Sequence, residues 1–70
     1  MADVPAHITG TVWKIEKKLG EAVKAGDVLV ILESMKMEMP VEAPEDGTVK
    51  EIRCKETQAV NEGDVLVVLG

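Results

Sequence analysis

The chain has no phenylalanine or tyrosine, and its 70 residues include only one tryptophan and one cysteine. A single cysteine cannot form an internal disulfide or a thiolate cluster for a metal, which favours a reducing compartment, so we expect a cytoplasmic location. Apolar runs reach only five residues, whereas a membrane-spanning helix needs about 20. The N-terminal sequence lacks a basic start followed by an apolar stretch, so we expect a soluble, uncleaved chain.

Basic residues are also scarce, with 8 Lys and Arg against 13 Asp and Glu, a formal net charge of −5. This balance argues against a surface for nucleic acid or for an anionic membrane, because either ligand attracts a basic face. A chain this short must use most of its buried surface for its core and has little room for a deep catalytic cleft. We therefore expect a single small domain that does not work alone as an enzyme.

The sequence consists of an ungapped internal repeat. A shift of 37 residues aligns residues 4–33 with residues 41–70, and 15 of the 30 aligned pairs are identical. Such self-similarity predicts two copies of one structural unit that are related by a pseudo-twofold axis. The residues left between the copies, 34–40, have no counterpart and are the best candidate for a functional segment. The same symmetry places this junction and the two chain ends at opposite poles.

Each copy has the features of β-strands and tight turns. The runs Val28–Leu32 and Val65–Leu69 are rich in β-branched residues, are too short for a stable helix, and are predicted to be buried on both faces. In the preceding strand of each copy, the spacing from Val12 to Ile15 and from Val49 to Ile52 breaks the period of two, which predicts a bulge or a twist. Glycines and prolines interrupt every stretch that could be helical, so the sequence predicts an all-β fold.

Three of the four methionines alternate within the junction, at Met35, Met37 and Met39. Alternation usually indicates one buried strand face, with Lys36 on the solvent side. The repeat favours the other interpretation, in which the junction is an exposed tip and its methionines form an adaptable contact surface. Met39 is then the best of the three candidates for the core. A tight turn at Met35 and Lys36 follows from the repeat and not from local turn chemistry, because neither residue readily takes positive φ, so some backbone strain is expected.

The junction and its surroundings resemble a known family. The sequence ESMKMEM at 33–39, followed by VEAPEDGTV and closed by NEGDVLVVL, is similar to a biotinyl domain, the biotin carboxyl carrier module of biotin-dependent carboxylases. Met-Lys-Met is weak evidence alone, but its place between two half-repeats makes the resemblance specific. The resemblance covers essentially the whole chain and is to the thumbless type of domain, because the halves align without an insertion.

The resemblance implies a fold and a role for each junction residue. The implied fold is a flattened β-barrel or sandwich, a barrel-sandwich hybrid, of two four-stranded antiparallel sheets spanning residues 1–70. The lysine of the motif carries biotin covalently, so Lys36 takes that role at the tip of the hairpin 34–40. Met35 and Met37 match the flanking residues that help partner enzymes to accept the tip. The remaining recognition candidates are Ser34, where many members have alanine, and Glu33 and Glu38, which are either ligase contacts or solvated strand ends.

By the same resemblance, the domain is a non-catalytic carrier that binds no metal. Its cofactor is biotin, attached by biotin protein ligase through an amide to Lys36. The carrier then shuttles carboxybiotin between the biotin carboxylase and carboxyltransferase sites of a carboxylase, and the isolated domain is expected to be monomeric. Two alternatives remain open: a lipoyl carrier on the same fold, whose usual triplet is closer to Asp-Lys-Ala, and an unmodified adaptor domain in which the lysine is incidental.

Four residues outside the junction carry weaker interpretations. His7 has no partner at metal-ligand spacing and is interpreted as an ordinary loop residue. Cys54 aligns with Lys17, which predicts a partly exposed position. Trp13 aligns with Lys50, which predicts an outward face where the ring covers part of the core or contacts a partner. The repeated Gly-Asp pairs that contain Asp27 and Asp64 favour a role in turns over one in catalysis.

Overall fold

The computed structural model describes residues 2–70, which form eight β-strands. Within these residues, no helix is long and apolar enough to cross a membrane. The strands in chain order are β1 (Ala2–Pro5), β2 (Gly10–Ile15), β3 (Ala22–Val23), β4 (Val28–Ser34), β5 (Met37–Glu42), β6 (Gly47–Ile52), β7 (Ala59–Val60) and β8 (Val65–Leu69).

The strands form two four-stranded antiparallel sheets, in the orders β1-β8-β6-β3 and β5-β4-β2-β7. Strands β1 to β4 place two members in each sheet, and strands β5 to β8 do the same. The two halves are therefore interleaved, and neither half has a sheet of its own. This arrangement confirms the all-β fold of two four-stranded antiparallel sheets that the sequence predicts.

The predicted irregularity in the second strand of each half is present. The register of β2 against β4 shifts between Val12 and Lys14, and that of β6 against β8 shifts between Val49 and Glu51. Each shift inserts one extra residue, Trp13 or its counterpart Lys50, so that the apolar residues on either side still face the core. Trp13 is consequently turned outward, with 49% of its surface exposed.

The core is aliphatic and lies between the two sheets. In β8 the neighbouring residues Val67, Val68 and Leu69 are all buried, although adjacent side chains of a strand point to opposite faces. This confirms burial on both faces for the run Val65–Leu69. In β4 the register against β5 shifts between Val28 and Val30, and Ile31 is only partly buried, so the prediction for the run Val28–Leu32 holds fully for one face and only in part for the other. Further partly buried residues pack against the core, including Ile8, Ile15 and Ile52. The largest fully buried side chains are Leu29, Leu32, Leu66, Leu69, Val12, Val30, Val49, Val67 and Val68.

The prediction that Cys54 is partly exposed is wrong. Its side chain belongs to the core cluster and only 5% of its surface is exposed, and burial raises the pKa of its thiol. Its counterpart Lys17 occupies a similar place with a side chain that is 24% exposed, while its ammonium lies 3.6 Å from a Glu21 carboxylate oxygen. A lysine can bury its aliphatic stem and still reach water, so alignment with lysine does not indicate an exposed position.

The repeated Gly-Asp turns are held by matching hydrogen bonds in the two halves. The Lys24 amide donates to the Asp27 carboxylate at 2.9 Å, and the Asn61 amide donates to the Asp64 carboxylate at 2.9 Å. The glycine before each aspartate has φ near 90°, a left-handed conformation that glycine adopts at low cost. Both aspartates therefore stabilise turns, as predicted. His7 is exposed in the loop that follows β1.

Ala2 and Gly70 lie at the end of the molecule that holds the base of the β4–β5 hairpin, opposite its turn. At that base the Ala25 amide donates to Asp46 Oδ1 at 2.9 Å, and a Cβ on the adjoining Gly47 would lie 3.2 Å from the Gly70 carbonyl oxygen. Ala2 pairs with Leu69, so the described N-terminal residues are at the same end. The seven residues of β4 separate this end from the turn by roughly 20 Å, in a molecule 30 Å long.

Candidate functional site

The junction between the halves is a two-residue β-hairpin turn. β4 ends at Ser34 and β5 begins at Met37, and these two residues are paired across the ladder. Only Met35 and Lys36 remain between them. The hairpin strands are held in register by further pairs down to Val28 and Glu42, so the turn stands on a rigid support.

Both turn residues have left-handed backbone conformations, with φ of 52° at Met35 and 64° at Lys36. Positive φ at both central positions defines a type I′ turn, whose twist matches that of the flanking strands. Asn-Gly is the sequence that prefers this turn, whereas a residue with a larger side chain pays about 1–2 kcal/mol in this conformation. The tip thus contains the backbone strain that the sequence predicts.

Lys36 and its two methionine neighbours are exposed. Met35 has 92% of its surface exposed and Met37 has 58%, although both are apolar. The exposed-tip interpretation is therefore correct, and the alternative of three methionines on one buried face is wrong. Met39, closer to the base of the hairpin, is partly buried, as expected for the member of the series nearest the core.

Two carboxylates lie directly opposite each other just below the turn. Glu33 on β4 is paired with Glu38 on β5, and both are exposed. Side chains that are opposite in an antiparallel ladder point to the same face, so this pair is mutually repulsive. Ion pairs among residues 2–70 involve Lys14, Lys17 and Arg53, so the Lys36 ammonium is in none of them. Ser34, above this pair, is partly buried.

Gly10 supports the tip from the neighbouring strand, and the sequence interpretation missed this role. A Cβ at position 10 would lie 2.6 Å from the Glu33 carbonyl oxygen and 3.4 Å from Ser34 Cβ. Only glycine allows β2 to approach the end of β4 so closely. Its counterpart Gly47 makes the equivalent approach to Gly70, so the identity of the two glycines in the repeat was the available signal.

The structure thus brings together the predicted site residues in one hairpin: Glu33, Ser34, Met35, Lys36, Met37 and Glu38. A primary amine at an exposed turn, free of these ion pairs and flanked by exposed apolar side chains, can be reached by a bulky acyl donor. The arrangement therefore fits covalent attachment of a carboxylic acid cofactor through an amide to Lys36 Nζ.

Comparison with known proteins assigns the family. Residues 1–69 match the biotin/lipoyl family model, which is described as "Biotin-requiring enzyme". The chain belongs to this family. The membership confirms the resemblance to a biotinyl domain found in the sequence. The two interleaved halves agree with the fold that this resemblance implies.

The proteins that this chain resembles are either long carboxylases, in which it matches one short segment, or small attachment proteins. It is 49% identical over 41 residues to the mitochondrial methylcrotonoyl-CoA carboxylase subunit alpha of Rattus norvegicus, covering 59% of this chain and 6% of that protein. It is 47% identical over 40 residues to the biotin/lipoyl attachment protein of Bacillus subtilis (strain 168), covering 57% and 55%. The solved Kluyveromyces lactis urea carboxylase superposes with a TM-score of 0.94 at 36% identity, covering 99% of this chain and 6% of that one.

The chain therefore spans only a small part of the carboxylases that it matches, and just over half of the Bacillus protein.

Proposed function

We propose that this domain is a biotin carboxyl carrier and that Lys36 is the residue that carries biotin. The observation that supports this most directly is the position of Lys36: an exposed amine at a type I′ turn, roughly 20 Å from the chain ends, between two exposed methionines. Relatives with carboxylase names and the family membership support biotin as the group attached.

The domain is a substrate of biotin protein ligase and not a catalyst in this proposal. An amine attacks an acyl carbon only through its lone pair, so the ligase must provide a base that takes up the proton of Lys36 Nζ. Lys36 Nζ then attacks the acyl carbon of biotinyl-adenylate, formed from biotin and ATP. The bond from that carbon to the phosphate oxygen breaks, AMP leaves, and the amide that forms no longer carries the positive charge of the side chain. No second group of this chain is needed at the reacting atoms, and the domain contributes only the position of the amine.

Once attached, biotin supplies a ureido nitrogen that accepts a carboxyl group at a biotin carboxylase site and delivers it at a carboxyltransferase site. The chain contributes reach and orientation. Because its ends are at the base of the hairpin, a linker or a carrier subunit can hold that end while Lys36 remains free at the other. Tethering of this kind replaces free diffusion with a high effective concentration near both partner enzymes.

The side chains around Lys36 are proposed as recognition elements. Met35 and Met37 offer an apolar surface that adapts to more than one partner, because methionine is flexible and polarizable. Glu33 and Glu38 add negative charge at the edge of this surface, which suits a partner with a basic rim. Ser34 is small enough to leave the approach to Met35 open.

The test uses purified chain, biotin, ATP and biotin protein ligase, with the product followed by intact mass. Lys36→Arg keeps the charge but removes the acceptor amine, so it should not gain biotin and should unfold at the wild-type temperature. Lys24→Arg is the matched control, because Lys24 is also exposed at a tight turn and makes its hydrogen bonds there through its backbone amide and carbonyl. It should be biotinylated at the wild-type rate.

Labelling of a folded Lys36→Arg variant would overturn the assignment of the site. If the wild-type chain accepted lipoate from lipoate ligase but did not accept biotin, the lipoyl alternative would replace the proposed function. An isolated domain that is monomeric and located in the cytoplasm stays a prediction of the sequence.

A further inference from the structure

The exposed sulfur atoms at the tip have a chemistry that carrier function does not use. Met35 is 92% exposed and Met37 is 58% exposed, whereas Met39, on the same strand as Met37, is partly buried. Oxidation of methionine depends on access of the oxidant to the sulfur atom, and it turns a flexible apolar side chain into a polar one. Among the methionines of residues 2–70, the two beside Lys36 are thus the ones most open to oxidation.

We propose that Met35 and Met37 are a reversible modification site, at which a peroxide forms methionine sulfoxide and thereby lowers the rate of Lys36 biotinylation. This inference rests on the proposed function, because it regulates the same tip. The oxidant is hydrogen peroxide. A sulfur lone pair attacks one peroxide oxygen and the O–O bond breaks, so the sulfur is oxidised by two electrons and the other oxygen leaves, with protons, as water.

The charges around the tip explain why a sulfoxide would be poorly tolerated in the complex with the ligase. The new oxygen is a hydrogen-bond acceptor, and the nearby Glu33 and Glu38 side chains are also acceptors when ionised. The two carboxylates therefore cannot donate a hydrogen bond to the sulfoxide oxygen. A sulfoxide oxygen that becomes buried against an apolar ligase surface without a donor is expected to lower the rate by a factor of about 5 to 30.

Burial protects the sulfur atom of Cys54 from the same oxidant. Only 5% of the Cys54 surface is exposed, and burial raises the pKa of its thiol, so the reactive thiolate is scarce at neutral pH. Dilute peroxide should therefore act on the tip methionines while the folded core stays intact. Met39 serves as an internal reference, since it has the same chemistry with less exposure.

The experiment treats the full unbiotinylated chain with dilute hydrogen peroxide and removes the peroxide with catalase before ligase, biotin and ATP are added. Peptide mass mapping should show oxidation at Met35 first, Met37 next and Met39 last, with Cys54 unmodified. The rate of biotinylation should fall by about 5- to 30-fold and should recover after treatment with methionine sulfoxide reductases.

Two variants identify the residues responsible. Met35→Leu/Met37→Leu removes both sulfur atoms with little change in volume, so its rate after peroxide should equal its own rate before peroxide. Met39→Leu is the control with one methionine fewer, and it should remain as sensitive to peroxide as the wild type. A double variant that is still inhibited, or a Met39→Leu variant that becomes resistant, would contradict the proposal.

The outcomes also separate this inference from the proposed function. If the untreated wild-type chain is biotinylated on Lys36 and the fully oxidised chain reacts at the same rate, the switch is refuted while the carrier function stands. If Met39 is oxidised as fast as Met35, the selectivity is refuted. If the untreated chain gains no biotin, the proposed function fails, and this inference fails with it.

Discussion

Replacing the tip turn by Asn-Gly should make the domain more stable and abolish its function. In the variant Met35→Asn/Lys36→Gly, both positions receive residues that accept the left-handed conformations observed there, with φ of 52° and 64°. Relief of strain at two residues favours the fold by about 1–2 kcal/mol each, and the extra freedom of glycine in the unfolded chain offsets about 0.5–1 kcal/mol. Little packing is lost, because Met35 is 92% exposed.

The net gain is expected to be about 1–3.5 kcal/mol, which corresponds to a melting temperature about 4–28 °C higher for a domain of this size. Thermal and urea unfolding followed by circular dichroism measure it, and the same sample should gain no biotin because it lacks the acceptor amine. A functional tip that is less stable than its best alternative is a common trade-off at binding sites.

A turn outside the β4–β5 hairpin provides the matched control. Thr57 has φ of 72°, and its counterpart in the other half is Gly20, with φ of 86°. Thr57→Gly should therefore also raise the free energy of unfolding, by up to about 1 kcal/mol, while Lys36 is biotinylated at the wild-type rate. If Thr57→Gly is stabilised and the tip variant melts at or below the wild-type temperature, the tip is not strained and the reasoning is refuted.

Three further predictions concern packing, charge and pH. Gly10→Ala should lower the free energy of unfolding by about 1–3 kcal/mol, because its Cβ would lie 2.6 Å from the Glu33 carbonyl oxygen. Gly47→Ala should lower it less, because its Cβ would lie 3.2 Å from the Gly70 carbonyl oxygen. Equal losses in urea unfolding would contradict this. Glu38→Gln should raise the free energy of unfolding by about 0.2–1 kcal/mol, because it removes the repulsion from Glu33. The absence of a gain at low salt, or a gain that is unchanged in 1 M salt, would count against that repulsion. Burial raises the pKa of the Cys54 thiol, so the stability that it contributes is present below the unfolded pKa of about 8.5 and should be lost as pH rises towards the folded pKa. In Cys54→Ala the free energy of unfolding should lack this part of its decline at alkaline pH. An identical decline in the variant and the wild type would refute the prediction.

The internal repeat explains why so much of the fold can be predicted from the sequence. Because Gly26 and Gly63 are each followed by Asp-Val-Leu-Val, the two turns that hold them have nearly the same φ, 92° and 94°, and matching aspartate hydrogen bonds. The bulges follow from a broken apolar period that also occurs twice, near Val12 and Val49. Two occurrences of a weak local signal constrain the structure far more than one.

Prediction from the repeat fails where the two halves differ in side-chain length or have no counterpart. Alignment with Lys17 suggested an exposed Cys54, but a lysine stem and a cysteine fill the same partly apolar space. The left-handed conformations of Met35 and Lys36 have no counterpart in the other half, and local propensity opposes them, so the repeat predicted a strained tight turn there but not its type. The close approach of Gly10 to Glu33 depends on the pairing of distant strands and becomes visible only in three dimensions.

The measurement that tests the central claim most directly is a site-resolved mass analysis of the wild-type chain. The folded, unmodified protein is incubated with biotin protein ligase, biotin and ATP, and its peptides are then mapped. The account predicts a gain of one biotinyl group per chain, with all of it on Lys36 Nζ. A folded chain that gains no biotin, or that carries it on another lysine while Lys36 stays free, would contradict the assignment of this hairpin as the attachment site.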